Sequence, residues 1–173
     1  LLLLQAFAKV AEELESVKLL IVGRGSMGES DDTEDDLRLF VDNHRLAERV
    51  SFLGYRTDIS ELLQVMDIFC LTSLREGLPL GLMEAMAAGL PVIGTNVQGI
   101  RDVITPNMDG ILVELGDVTA LKIALTGLIG DERWRNNLGR AGHKKAMQKY
   151  SLERCVREYE QLFLSLANAS VAR

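Results

Sequence analysis

The sequence predicts an α/β fold in which short parallel strands form a sheet that helices cover on both faces. Short apolar runs without polar alternation recur along the chain, which is typical of strands buried on both faces. Amphipathic stretches of helical length separate these runs, and this alternation of strands and helices is the pattern of a parallel sheet. A length of 173 residues fits one domain with a sizeable core.

The predicted strands end near glycine or polar residues, and the predicted helices carry apolar residues at helical spacing. The strands are expected at 18–22, 50–54, 67–71, 91–94 and 110–113. The helices are expected at 1–14, 34–44, 59–65, 79–88, 118–129, 132–150 and 151–168. Thr33, Asp58 and Ser151 are the predicted N-caps, because their side chains accept hydrogen bonds from backbone amides. Ligands of such sheets bind beyond the carboxyl ends of the strands.

The composition excludes several classes of protein. A net charge of −6 argues against a general nucleic-acid binder, which needs a cationic face. The two cysteines form neither a disulfide framework nor a metal motif, so a reducing cytoplasm is expected. No apolar stretch approaches the roughly 20 residues that span a bilayer. The apolar fraction of 47% and the charged fraction of 25% are ordinary for a soluble globular protein, and the net charge does not forbid a local basic pocket for one phosphorylated ligand.

The segment 76–92 carries the clearest chemical signal. It follows a predicted buried strand, and Gly77 lets the backbone turn and a ligand approach closely. Pro79 suits the first turn of a helix, and Gly89 suits the position just after the helix ends. The amides of 80–82 then lack helical partners, and with the helix dipole they suit a phosphate group.

Two glutamates lie in this segment. Glu84 is one turn into the helix, where it can accept hydrogen bonds from neutral hydroxyls such as a ribose diol. Glu76 precedes the helix, where it can bind sugar hydroxyls or face positive charge at a sugar carbon. The residues alone leave an ordinary interpretation open, since any strand–helix–strand unit can begin its helix with proline and end it with glycine.

The spacing of Glu76 and Glu84, followed by the residues Ala85 to Val92, resembles the signature of group 1 (family 4) retaining glycosyltransferases of GT-B fold. Further segments resemble the family in the same order along nearly the whole chain. They are 20–25, 50–55, 67–73, 99–102, 109–113 and 150–153. The resemblance implies a Rossmann-like domain that binds a nucleotide diphosphate sugar.

The resemblance also implies roles for individual residues. Glu76 is expected beside the donor hexose with a catalytic role, and Glu84 at the ribose hydroxyls. Amides near Leu80 and Gly81 are expected to hold the diphosphate, and Arg56 to border the base. The donor-binding residues implied in this way are Glu84, Leu80, Gly81, Gly77, Leu78, Gly23, Arg24, Gly25 and Arg56. The family needs no metal at the reacting centre, and no cofactor is expected.

The resemblance places residues 1–173 as one C-terminal, donor-binding domain. The family's acceptor domain is N-terminal, and its Arg and Lys that clamp the diphosphate lie before the segment that matches this chain. The acceptor domain and the Arg and Lys pair are therefore expected outside residues 1–173. The chain alone is expected to be inactive. The helix 151–168 is expected to pack outside the core. The acceptor is expected to be a glycan, a lipid-linked sugar or a small molecule, with the enzyme in the cytoplasm or at the inner membrane face.

Other interpretations are kept beside this one. Residues 23–28 spell GxGxxG after a strand, but the acidic run at 31–36 would repel the pyrophosphate of a dinucleotide. That run is better explained as a solvated helix start than as a metal site. A GT-B nucleotide-sugar 2-epimerase and a non-catalytic nucleotide-binding module remain alternatives to the transferase.

Overall fold

The computed structural model describes residues 1–23 and 32–171, with side chains described at 1–23 and 34–168. Five strands are present, β1 Leu19–Val22, β2 Val50–Gly54, β3 Phe69–Leu71, β4 Val92–Thr95 and β5 Ile111–Val113. Eight helices are described, α1 Leu2–Glu13, α2 Asp32–Asn43, α3 Ile59–Val65, α4 Leu80–Ala87, α5 Gln98–Val103, α6 Val118–Gly130, α7 Glu132–Lys149 and α8 Leu152–Val171. All five predicted strands and all seven predicted helices are found, and α5 was missed.

The predicted parallel arrangement of strands flanked by helices is confirmed, and in the described residues the five strands form two sheets. Strand β1 pairs with β2, and β4 lies between β3 and β5. All four residues of β4 are buried, whereas β1 and β3, each with one described neighbour, are only half-buried. Apolar runs indicate burial but not which strand is the neighbour, so the sequence did not reveal this division.

Helix α1 connects the two sheets through its buried face. Leu4 and Phe7 pack in the cluster that includes β1 and β2 residues, while Ala6 and Val10 pack in the cluster around β4, β5 and α6. Arg49, just before β2, donates hydrogen bonds to the carbonyl groups of Ala11, Leu14 and Val17 at and beyond the end of α1. The helix is therefore tied both to the apolar core and to the start of a strand.

Two predicted N-caps differ from the structure, and one is confirmed. Helix α2 begins at Asp32, so Thr33 lies inside it rather than capping it. Asp58 occupies the N-cap of α3 but makes no capping hydrogen bond, because its carboxylate pairs with Arg56 instead. Ser151 caps α8 as predicted, its hydroxyl oxygen accepting from the Arg154 amide at 3.3 Å.

Helix α4 begins one residue later than predicted, because Pro79 is its N-cap rather than its first helical residue. At the other end Gly89 takes a φ of +84°, a conformation that favours glycine. The Leu90 amide then donates to Ala85 and the Gly89 amide to Met86, which closes the helix end. The predicted role of Gly89 is confirmed.

Helix α8 projects its apolar residues into solvent. Leu152, Tyr159 and Phe163 are 74%, 57% and 63% exposed, and every described residue from 155 to 168 is exposed. Within the described ranges, no helix combines the length and apolar character that crossing a bilayer requires.

Candidate donor-binding site

The candidate site lies where β3 ends and the chain turns into α4. Glu76, Gly77 and Leu78 form the loop, and Pro79 anchors it as a buried residue at the helix start. Leu78 and Leu80 are 62% and 61% exposed. The loop therefore has a fixed base and an open outer surface at the carboxyl end of a parallel strand, the usual location of ligands in this class of fold.

The prediction of three free amides at 80–82 is only partly correct. The Leu80 amide donates to the Leu78 carbonyl at 2.9 Å, and the Leu82 amide to the Pro79 carbonyl at 3.0 Å. Both bonds form because Pro79 as N-cap tightens the first turn and brings these carbonyls within reach. Within the described part of the chain, the amides of Gly77, Leu78 and Gly81 have no acceptor.

Only one of the two carboxylate oxygens of Glu76 has a hydrogen-bond partner among the described residues. Its Oε1 accepts a hydrogen bond from the Ser73 hydroxyl at 2.6 Å. No hydrogen bond or ion pair to Oε2 is found among the described residues, and no described Lys or Arg pairs with this carboxylate. Glu76 is half-buried, and its Oε2 has no described partner at the mouth of the loop.

Glu84 lies on the solvent-facing side of α4. The opposite face of the helix is fully buried, with Leu82, Ala85 and Met86 all 0% exposed. Leu80 precedes Glu84 by four residues, so both lie on the same exposed face one turn apart. The carboxylate of Glu84 is therefore accessible next to the start of the helix, and the core residues fix the rotation of the helix that presents it.

Two further residues support this loop, of which Gly99 lies in a segment that resembles the family and Thr95 was not singled out by the sequence. The Thr95 hydroxyl, fully buried at the end of β4, donates to the Ser73 carbonyl at 2.6 Å. Gly99 in α5 lies so close that an added Cβ would be 2.5 Å from the carbonyl oxygen of Glu76. The signal for Thr95 was a polar residue at the end of an otherwise apolar run.

Of the remaining predicted residues, Gly23 directly follows β1 and Arg56 follows β2. Gly23 has a φ of +114°, and its amide donates to the Gly54 carbonyl at 2.8 Å. Arg24 and Gly25 lie outside the described residues. No described hydrogen bond or ion pair connects this group with the loop that carries Glu76. The structure thus gathers six predicted residues on one loop and helix, and places Gly23 on the other sheet.

Arg56 follows β2 and pairs with a neighbouring acid. Its guanidinium donates to Asp58, with Nε 2.8 Å from Oδ1. The hydrogen bond to this carboxylate raises the pKa of Arg56, and the guanidinium in turn lowers the pKa of Asp58. Both side chains are exposed to solvent, so the pair is screened and orients the arginine more than it stabilises the fold.

The fold and the site define a Rossmann-like α/β domain of the GT-B type, with a ligand loop at a strand end. The chain belongs to the family described as glycosyl transferases group 1, whose model matches residues 1–145.

Two relatives illustrate the match. The chain is 37% identical over 159 residues to N-acetyl-alpha-D-glucosaminyl L-malate synthase of Bacillus anthracis, covering 92% of this chain and 40% of that relative. It is 30% identical over 148 residues to UDP-Gal:alpha-D-GlcNAc-diphosphoundecaprenol alpha-1,3-galactosyltransferase of Escherichia coli, covering 85% and 36%. The chain therefore spans about two-fifths of the length of these curated relatives.

A solved structure shows the same fold. The crystal structure of Anabaena HepE in complex with UDP and glucose superposes with a TM-score of 0.88 at 24% identity, covering 95% of this chain and 44% of that one. Together with the family match, this likeness confirms the predicted α/β architecture of GT-B type.

Proposed function

We propose that this chain is the donor-binding domain of a longer glycosyltransferase. The observation that carries the proposal is the start of α4, where three amides without an acceptor lie between a half-buried and an exposed glutamate. Amides at a helix start suit an anionic diphosphate, and they gain from the helix dipole. The carboxylates of Glu76 and Glu84 cannot bind that anion themselves, so they are suited to the hydroxyl groups on either side of it.

A nucleotide diphosphate sugar satisfies all of these groups at once. The amides of Gly77, Leu78 and Gly81 hold the diphosphate, Glu84 accepts from the ribose hydroxyls, and Glu76 faces the hexose. Gly23, Arg24, Gly25 and Arg56 complete the donor site beside the nucleoside. The name of the galactosyltransferase relative gives UDP-Gal as its donor, which supports a donor of this class.

In the proposed reaction, the bond between the anomeric carbon and the diphosphate oxygen breaks. A bond from that carbon to an acceptor oxygen forms on the same face of the sugar, so that the configuration is retained, and the acceptor's proton leaves with the nucleoside diphosphate. Positive charge develops at the sugar carbon while negative charge grows on the diphosphate. No described cation pairs with Glu76, so its carboxylate stabilises the positive charge at the sugar carbon. The amides at the start of α4 stabilise the negative charge on the diphosphate. No metal ion takes part.

The acceptor binds to a second, N-terminal domain of the same protein, and α8 packs against that domain outside the core described above. The acceptor is a glycan, a lipid-linked sugar or a small molecule. We place the whole enzyme in the cytoplasm, at the inner face of the membrane when its acceptor is lipid-linked. The name of the Escherichia coli relative gives a sugar linked to diphosphoundecaprenol as the acceptor of that protein.

The test measures binding and turnover in the complete enzyme. Calorimetry with UDP, GDP and ADP identifies the nucleotide, and release of nucleotide from the corresponding sugars reports the reaction. We expect Glu84→Gln to weaken nucleotide binding roughly tenfold, about the value of one hydrogen bond. Glu76→Gln is expected to spare nucleotide affinity but nearly abolish sugar transfer.

Glu48→Gln removes the same charge from an exposed residue just before β2, and it serves as the control for net charge. Unchanged nucleotide affinity in Glu84→Gln, or no nucleotide binding by the complete enzyme, would contradict the proposal. Formation of an epimer of the donor without any acceptor would favour the epimerase alternative.

A further inference from the structure

We infer that Ser73 is a positioning residue that aims the Glu76 carboxylate at the donor sugar. The inference rests on the proposed role of Glu76. It adds a second residue, Ser73, which has no role in the proposed function above. Ser73 lies three residues before Glu76, and its hydroxyl is 2.6 Å from Oε1. That bond leaves Oε2 without a described partner, so one carboxylate oxygen is fixed and the other is available to a ligand.

Ser73 is itself held by the sheet. The ladder between β3 and β4 ends at the pair Leu71 and Gly94, before the chain reaches Ser73. The Thr95 hydroxyl extends this attachment, because it donates to the Ser73 carbonyl at 2.6 Å from a fully buried position. The backbone of Ser73 is therefore attached to the buried end of β4, and this attachment fixes the position of its hydroxyl.

The backbone of Glu76 also packs directly against α5. An added Cβ on Gly99 would be 2.5 Å from the Glu76 carbonyl oxygen and 2.8 Å from that of Gly77. Such close approach of a helix to a loop needs a residue without a side chain. With the backbone packed against Gly99 and one oxygen bound by Ser73, the Glu76 side chain has little freedom to change its orientation.

The chemistry needs this restraint. A half-exposed glutamate on a loop normally samples several rotamers, and a catalytic group contributes most when its orientation is fixed before the reaction. Ser73 does not touch the sugar in this arrangement. Removing its hydroxyl should therefore slow the sugar-transfer step and leave the binding of the nucleotide unchanged.

The test compares Ser73→Thr with Ser73→Val in the complete enzyme, because these side chains share a shape and differ by the hydroxyl. The readouts are release of UDP from UDP-glucose, UDP-galactose and UDP-N-acetylglucosamine, affinity for UDP, and the melting temperature. We expect Ser73→Thr to keep a rate near that of the wild type. Ser73→Val is expected to lose roughly 10- to 100-fold in kcat, the effect of losing one hydrogen bond to a charged group. UDP affinity stays unchanged, and the melting temperature shows whether each variant is folded.

Glu76→Gln is measured in parallel. If Glu76→Gln abolishes UDP release while the Thr and Val variants have equal rates, the inference about Ser73 is overturned and the proposed function stands. If Glu76→Gln retains the wild-type rate, or the wild type releases no nucleotide from UDP-, GDP- or ADP-sugars, the proposed function itself is overturned. If the Val variant does not fold, Ser73→Ala takes its place, because it removes the hydroxyl without adding volume. The same comparison of its kcat with that of the Thr variant then applies.

Discussion

Gly139 of α7 lies directly against the carbonyl oxygen of Gly89, the residue that ends α4. A Cβ on Gly139 would overlap that oxygen and would also lie 3.3 Å from the nitrogen of Pro91. Because the neighbour is backbone, it cannot move aside as a flexible side chain can. The contact sets how closely α7 packs on α4, and so helps to fix the helix that presents Glu84.

Replacing Gly139 by alanine is therefore expected to lower the free energy of unfolding by about 1–3 kcal/mol, the usual cost of overpacking. Urea denaturation of the two proteins measures the difference. Gly130→Ala is the matched control, since an added Cβ there meets no atom within 4 Å and alanine favours the helix. Equal stabilities of the Gly139 and Gly130 variants would show that the close approach is not required.

Arg49 is expected to be a larger contributor to stability than other arginines, because it satisfies carbonyl groups at the end of α1. Arg49→Ala leaves Ala11, Leu14 and Val17 without this donor, and we expect a loss of about 1–3 kcal/mol. Thermal or urea unfolding tests the expectation. Arg140→Ala, which removes only exposed hydrogen bonds within α7, should change stability by less than about 0.5 kcal/mol.

Tyr150 gives the protein a dependence on alkaline pH. Burial raises the pKa of its hydroxyl above the ordinary value of 10.0, and the negative charges of Asp109 and Asp102 raise it further. The folded protein then holds the proton more tightly than the unfolded chain. This contribution to stability is complete below about pH 10 and is lost as the pH rises through the folded-state pKa.

We expect Tyr150→Phe to reduce the fall in unfolding free energy between pH 9.5 and 11, as measured by urea denaturation at several pH values. Tyr159→Phe, which removes an exposed hydroxyl on α8, should retain the wild-type dependence. A Tyr150→Phe variant whose stability falls with pH as steeply as that of the wild type would show that this hydroxyl is not the cause.

Much of the fold was predictable because burial and helix periodicity are local properties. The run at 50–54 defined β2 to the residue, and Gly89 defined the end of α4. The six-residue α5 was missed because so short a helix gives almost no periodic signal. The division into two sheets was missed because it depends on which strands are neighbours in space.

The candidate site was predictable in its residues but not in its contacts. The positions of Glu76 and Glu84 follow from their spacing around a helix start. Which amides stay free at the start of α4 depends on the φ and ψ angles of Pro79, and these let Leu80 and Leu82 bond locally. The hydrogen bond from Ser73 to Glu76 depends on side-chain rotamers, which a sequence does not specify.

The central claim is that backbone amides at the start of α4 bind the diphosphate, and Gly81 offers the most direct measurement. Gly81→Pro removes the amide at a first-turn position that tolerates proline. Gly81→Ala keeps the amide, and its added Cβ would meet only Phe69 at an ordinary 3.6 Å. In calorimetric titrations with the nucleoside diphosphate that the wild-type enzyme binds, we expect the Pro variant of the complete enzyme to bind roughly tenfold more weakly than the Ala variant. Equal affinities in two folded variants would contradict the account.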